Sequence, residues 1–460
     1  MEKPMNDKGF ILITILFLLL LVAVTATSLN VKSGLQSKMT ANQSADAQTY
    51  FGQLAMMERA VWELTRNPWW RTNSLQTYHE EKFNLRADVS GVYNDAVIIS
   101  VDKSGYDSAM STSLRSIRYY LSATEYTGFN QPRHIALDTA GNVYIADTGN
   151  HCIRKVDTAG TISTVAGTGT SGYNGDGILA TNARLNNPAG VAVDDSGNIF
   201  IADTYNCCIR KVDAVTNIIS RVAGKAPAIG SCGYNTDNSP LSAKLNYPYG
   251  VKVKNGNLYI ADYDNQRVRK VDITAGTIVT VAGNGMAGYW GDNDSATSAR
   301  LYNPVDIFVD DAENLFIADL NNHCVRKVDA ATQIISTFAG SCTNPGYSGD
   351  GGPAAAARLD APRGLFKDAV GNLYIADRDQ HVVRVVSGQN GYIYTLAGTG
   401  SAGYNWTGVP QPAGEFQLNS PSSIALPQAQ GGRVIYISDR DNNRIRVLTL
   451  TFKLEKQLYK

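Results

Sequence analysis

An aspartate and an arginine recur seven residues apart at six places in the chain: Asp147/Arg154, Asp203/Arg210, Asp262/Arg269, Asp319/Arg326, Asp377/Arg384 and Asp439/Arg446. A carboxylate and a guanidinium at that spacing can do acid–base work, bind a charged ligand, or pair with each other. Repetition decides between these uses: a catalytic group is needed once, a structural contact in every copy. Each Asp ends an apolar run such as VYIAD (Val143–Asp147), and each Arg follows a polar turn. On the two arms of a hairpin the side chains face each other, and a bidentate Arg–carboxylate contact is expected to fix the turn. The turn asparagines Asn150, Asn206, Asn265, Asn322 and Asn442 suit the same turn through a local side-chain bond.

Other residues with chemical potential are weaker candidates. His151, His323 and His381 hold equivalent positions, but Cys207, Gln266 and Asn443 fill the same slot elsewhere, which argues against a metal cluster. Asp194-Asp195 and Asp310-Asp311 offer carboxylates to calcium, but hairpin-turn chemistry explains them more simply, so no cofactor is expected. The loops GYNGDG (172–177) and GYSGDG (346–351) lack the Lys-Ser/Thr of a phosphate cradle. Cys207-Cys208 has no CxxC partner at zinc spacing. His134 is the one histidine expected on an innermost strand, with no evident partner.

These residues are positioned by a repeat. GNVYIADTGNHCIRKV from Gly141 returns as GNIFIADTYNCCIRKV, GNLYIADYDNQRVRKV, ENLFIADLNNHCVRKV and GNLYIADRDQHVVRVV, with a weaker copy from Gly432. Pro132, Pro188, Pro248, Pro304, Pro362 and Pro421 open the successive units. Each unit reads as four short antiparallel strands, the composition of a propeller blade. The pattern closely resembles the NHL repeat family over about Phe129–Leu450, and the resemblance implies a six-bladed β-propeller. In such a blade the turn between strands two and three shares a face with the loop leaving strand four. Disulfides Cys324–Cys342, and Cys232 with either Cys207 or Cys208, are therefore expected, leaving Cys152 without a partner. The sixth unit lacks a clear fourth strand, and Tyr119–Tyr126, which precede the first blade, can supply one.

The first third of the chain differs. Phe10–Ala26 (FILITILFLLLLVAVTA) carries no charge and approaches membrane-spanning length, which suits a plain membrane anchor, a secretory signal peptide cut at Val-Thr-Ala-Thr-Ser (24–28), or a prepilin leader cut at Gly9–Phe10. From Phe51 to Leu64 apolar residues fall at helical spacing, and Asn67-Pro68 ends the pattern. One helix of roughly 55 residues, ~80 Å long, is expected from Phe10 to Arg66. Short strands then cap it, with Trp62, Trp69 and Trp70 packing at the junction. A short leader with Lys3 and Lys8, the Gly9–Phe10 junction and the long helix resemble type IV pilins and their minor-pilin relatives. The resemblance implies cleavage after Gly9 and methylation of Phe10. Thr14 stands where most major pilins carry glutamate, a departure that implies a rare or terminal subunit.

The expected organisation is a leader (1–9), a membrane-spanning half-helix (10–27), an amphipathic helix with a small antiparallel sheet (28–124), a six-bladed propeller (125–452) and a tail (453–460). The fold class is mainly β, with an α+β pilin-like segment. Lys plus Arg and Asp plus Glu number 41 each, and with no basic block a nucleic-acid partner is not expected. The reading is a non-enzymatic binding or adhesion head, anchored in the inner membrane facing the periplasm or carried on a bacterial pilus. Its partners are the membrane through residues 10–27, pilin or pseudopilin subunits, and a protein or carbohydrate on a propeller face. The alternatives are a membrane-tethered lactonase- or lyase-like enzyme with a metal in the channel, and an anchored periplasmic sensor or scaffold.

Overall fold

A computed structural model describes residues 72–78, 81–90, 96–103, 113–227, 231–236, 239–427 and 434–459. The helix expected over Phe10–Arg66, the Gly9–Phe10 junction, Thr14 and the three tryptophans lie outside the described residues.

Six four-stranded antiparallel blades form a closed ring. Their innermost strands are Pro132–Leu137, Gly190–Val193, Pro248–Lys254, Pro304–Val309, Pro362–Lys367 and Pro421–Ala425. Each packs against the next, and the last against the first. In blades 1, 2, 4 and 5 the second strands, Ile199–Asp203 and Leu315–Asp319 among them, are buried at every position. Neighbouring blades cover both of their faces, which is why they read as unbroken apolar runs. The core accordingly lies between blades. Ile153 and Ala166 of blade 1 meet Val191, Ile201 and Ile219 of blade 2. Ile145 and Val156 meet Ala425 and Ile445 where the ring closes.

A three-residue 3-10 turn joins strands two and three in each of blades 1 to 4 and in blade 6, Thr204–Asn206 for example. A left-handed residue ends each turn. After strand four the chain must pass close under that turn. A Cβ on Gly224 (φ +91°) would lie 2.6 Å from the Cys207 carbonyl oxygen, so only glycine fits there.

The sixth blade takes its outer strand from before the first. Ser113–Tyr126 pairs antiparallel with Arg444–Tyr459, with Thr124 opposite Val447. On its other side Ser113–Tyr126 pairs with Ala96–Lys103, followed by Glu81–Ser90 and Thr72–Tyr78. The sheet preceding the repeats is thus continuous with blade 6. Residues 453–459 are not a tail, as the sequence reading had them, but the end of the Arg444–Tyr459 strand. Their apolar–polar alternation, Leu448-Thr449-Leu450-Thr451-Phe452-Lys453-Leu454, continues the strand period.

Candidate functional site

The repeated aspartates do not grip their arginines in the expected bidentate manner. Asp319, fully buried, accepts the Tyr302 N–H (2.7 Å) and the Asn322 side-chain amide (2.8 Å), while Arg326 approaches only to 3.6 Å. Asp203 and Asp262 repeat this arrangement, with Arg210 and Arg269 at 3.8 and 3.7 Å. Asp147 takes the Asn130 N–H and Asn150 in the same way, while Arg154 bonds to Thr164. Arg446 alone places Nε within 2.9 Å of its aspartate, Asp439. A strand-end carboxylate meets the incoming backbone first, and that geometry excludes a fork. The arginines turn instead to tyrosine- and aspartate-bearing loops, GYNGDG (172–177) and GYSGDG (346–351) among them. Arg210, Arg326 and Arg384 pair with Asp176 (3.1 Å), Asp292 (2.5 Å) and Asp350 (2.5 Å), and stack on Tyr173, Tyr289 and Tyr347. In blade 6 the partner is Glu125, from the strand that closes the ring.

Blade 5 breaks the pattern. Gln380 replaces the turn asparagine and bonds to Asp360 instead, so Asp377 Oδ2 is buried without a hydrogen-bond partner. Burial pushes the Asp377 carboxyl up to about 8. A raised carboxyl favours the fold while protonated, and that contribution is lost as pH rises from the unfolded value near 4 through 8. Gln380→Asn should restore the missing donor. Its urea midpoint should exceed the parent's at pH 9, by about 1 kcal/mol of stability, with little difference at pH 5. An equal gap at both pH values would refute the assignment.

The slot shared by His, Cys, Gln and Asn has a common chemistry that its variety hid. All six residues have positive φ. Five offer an acceptor to the backbone N–H just before the next blade's proline. His151 Nδ1 takes Asn187, Gln266 Oε1 takes Asn303, His323 Nδ1 takes Ala361, His381 Nδ1 takes Ser420 and Asn443 Oδ1 takes Gln131. The slot joins blade to blade. Cys207 is the exception and is spent on a disulfide. The hairpin aspartates are likewise committed: Asp194 and Asp310 bond to the N–H groups and asparagine of their own turns.

The central channel is where the repeat symmetry fails. The residue after each opening proline is Arg133, Ala189, Tyr249, Val305, Arg363 or Ser422, and the next is His134, Gly190, Gly250, Asp306, Gly364 or Ser423. His134 does have a partner, contrary to the sequence reading: its Nε2 lies 3.3 Å from Asp306 Oδ1, contributed by the opposite blade. Asp306 Oδ2 also accepts the Leu365 N–H at 2.9 Å. Glycine makes room for this bridge, since a Cβ on Gly250 would fall 2.6 Å from Asp306 Oδ1. Further along the same strands Phe308 and Phe366 (5.5 Å) plug the channel, with Lys252 over Phe308. The space left among Arg133, His134, Tyr249, Asp306 and Arg363 is about 10 Å³, the room of one water.

The mouth above is cationic. Arg133 donates to the Tyr249 hydroxyl at 3.0 Å, and both Arg133 and Arg363 lie against the Tyr249 ring. Arg378 and Arg440, from the turns of blades 5 and 6, pair with their neighbours Asp379 (2.6 Å) and Asp441 (3.1 Å). Arg363 is 7% exposed and has no carboxylate partner among the described residues. Burial, and then the Arg133 guanidinium, push its pKa down to about 9, so it keeps its charge at neutral pH.

Comparison with known proteins agrees with this architecture. The NHL repeat family matches residues 129–156 and 185–212, and the Teneurin NHL domain family matches residues 228–449. The repeats form a six-bladed NHL propeller. NHL repeat-containing protein 2 of Bos taurus is 28% identical over 406 residues, covering 82% of this chain and 53% of that protein. Teneurin-1 of Mus musculus is 27% identical over 293 residues, covering 55% of this chain and 10% of that protein. The chain spans about half the length of the first of these relatives. An auxiliary nutrient binding protein from Bacteroides ovatus shares the fold, with a TM-score of 0.52 at 17% identity, covering 82% of this chain and 90% of that one. A protein of unknown function from Bacteroides thetaiotaomicron has a TM-score of 0.52 at 13% identity, covering 82% and 98%.

The NHL propeller carries both expected disulfides. Cys324 bonds to Cys342 and Cys207, rather than Cys208, to Cys232, with Cα–Cα distances of 5.0 and 5.4 Å. Each ties a turn to the loop leaving strand four of the same blade. In blade 4 His323 holds the turn slot, so the bridge starts one residue later. Cys152 and Cys208 are free and buried.

Proposed function

We propose that this protein is a binding head, an NHL propeller displayed outside the reducing cytosol on an N-terminal stem. The stem is a membrane anchor, or is processed and built into a pilus as a minor subunit. The channel mouth carries the reading. It is where the repeat is broken by Arg133, Tyr249, Arg363, Arg378 and Arg440, on a scaffold whose other polar residues serve the fold. The channel behind it is filled, so a ligand, protein or carbohydrate, meets the face rather than the interior. The two disulfides suit an oxidising compartment. The uncharged run from Phe10 and the Gly9–Phe10 junction support the stem. Mass spectrometry of the chain recovered from bacteria with a prepilin peptidase should find a mature terminus at methylated Phe10. Cleavage near Ala26 would remove the pilus stem.

The His134–Asp306 bridge favours a second reading, a tethered propeller enzyme, because it is a converging and unrepeated acid–base pair. Its residues do not fit a channel metal: among the described residues no three His, Cys, Asp or Glu side chains converge. A lactone- or ester-hydrolysing activity abolished by His134→Ala would establish this reading; activity unchanged by that variant would end it.

A further inference from the structure

We propose that the channel mouth holds an oxyanion, a carboxylate or a phosphate, between Arg363 and Arg133 over the Tyr249 ring. The proposal deepens the binding-head reading by naming the chemistry that the mouth recognises.

Charge is the first argument. Four guanidiniums, Arg133, Arg363, Arg378 and Arg440, gather at the mouth between blades 5, 6 and 1. Two of them are answered by carboxylates, Asp379 and Asp441. Among the described residues Arg133 and Arg363 are not. Asp306, deeper in the channel, accepts the Leu365 N–H, and its charge is opposed by the neighbouring Lys252 ammonium. Two positive charges are therefore left facing the opening.

Burial is the second. Every other deeply buried arginine of the propeller, such as Arg210, Arg326, Arg384 and Arg446, has an acidic partner. Arg363 is also buried, at 7% exposed against 0% for those four, yet no carboxylate among the described residues pairs with its guanidinium. Arg133 spends one N–H on Tyr249 and keeps a buried Nε without a partner. A buried guanidinium without a counter-charge is costly, and an arriving oxyanion supplies what the fold withholds.

Shape is the third. Water-sized space remains among the lining side chains, so only the oxygens of the anion enter and the rest of the ligand stays outside. Tyr249, packed on Tyr263 at 4.7 Å, gives a flat apolar wall against which Arg133 and Arg363 are both laid. That presents planar donors to a planar or tetrahedral acceptor.

The test is thermal unfolding of the full chain, solubilised in detergent, titrated with sodium acetate or sodium phosphate at constant ionic strength set by chloride. Saturable stabilisation by acetate, by phosphate or by both is expected. Acetate alone identifies a carboxylate and phosphate alone a phosphate ligand. In Arg363→Met the apparent affinity should fall roughly tenfold or more, while the unliganded variant melts at or above the parent temperature. No saturable response to either anion, or an unchanged response in Arg363→Met, would overturn the proposal. The titration is indifferent to the processing of the stem, so its failure is separable from that of the pilus reading.

Discussion

Asp319→Ala should lower the unfolding free energy by about 3–5 kcal/mol. The carboxylate is fully buried and serves three groups at once: the Tyr302 N–H, the Asn322 amide and, at longer range, Arg326. Truncation leaves two buried donors without an acceptor. Arg326 keeps Asp292, so the loss is concentrated at the turn and at the backbone entering blade 4. Asp319→Asn keeps an oxygen for Tyr302 and should cost less. Burial pushes the Asp319 carboxyl up to about 6, so the parent gains stability as pH falls from 8 through 6, and the gap between parent and Asp319→Asn should widen there. Urea unfolding at pH 5 and 8 reads both effects. A loss below about 1 kcal/mol for Asp319→Ala would show that the staple is dispensable.

Glu125→Ala should cost about 3 kcal/mol and should act on ring closure rather than on a single turn. Glu125 belongs to the strand before the first blade, yet its carboxylate pairs with Arg444 (2.6 Å) and Arg446 and accepts from Tyr404 (3.2 Å), all in the last unit. Burial pushes Arg446 down to about 10, which shows how little solvent would replace the lost partner. In blades 2, 4 and 5 the equivalent carboxylate lies three residues after the stacking tyrosine, as Asp176, Asp292 and Asp350. In blade 6 that position is Thr407, and Glu125 replaces it. Limited proteolysis should therefore cut the Glu125→Ala protein first in blade 6. Unaltered protection there would mean that the ring is closed by other contacts.

The blades were legible because each proline, apolar run and Asp-x-x-Asn turn satisfies a local rule, repeated six times. The closing strand was legible by subtraction, since the sixth unit was one strand short. The disulfides followed from which loops share a face. What failed was geometry that spacing cannot encode. Asp319 and Arg326 face each other across a hairpin, but the backbone of Tyr302, seventeen positions upstream, reaches the carboxylate first. His151, Gln266 and Asn443 look unrelated until their acceptor atoms are seen on one kind of N–H. His134 and Asp306 meet only because a ring of six blades sets the first opposite the fourth. The cationic mouth was invisible for the same reason: its arginines are scattered through three blades, in a chain of zero net charge.

The central claim is that repeated polar residues hold the fold while the unrepeated mouth is kept for a ligand. Two buried arginines, truncated in parallel and compared by thermal unfolding without added anion, test it most directly. Arg326→Met strips Asp319 and Asp292 of their guanidinium and should melt well below the parent. Arg363→Met removes a buried charge that has no carboxylate partner among the described residues, and should melt at or above the parent. Opposite signs are the predicted result; a comparable fall in both variants would contradict it.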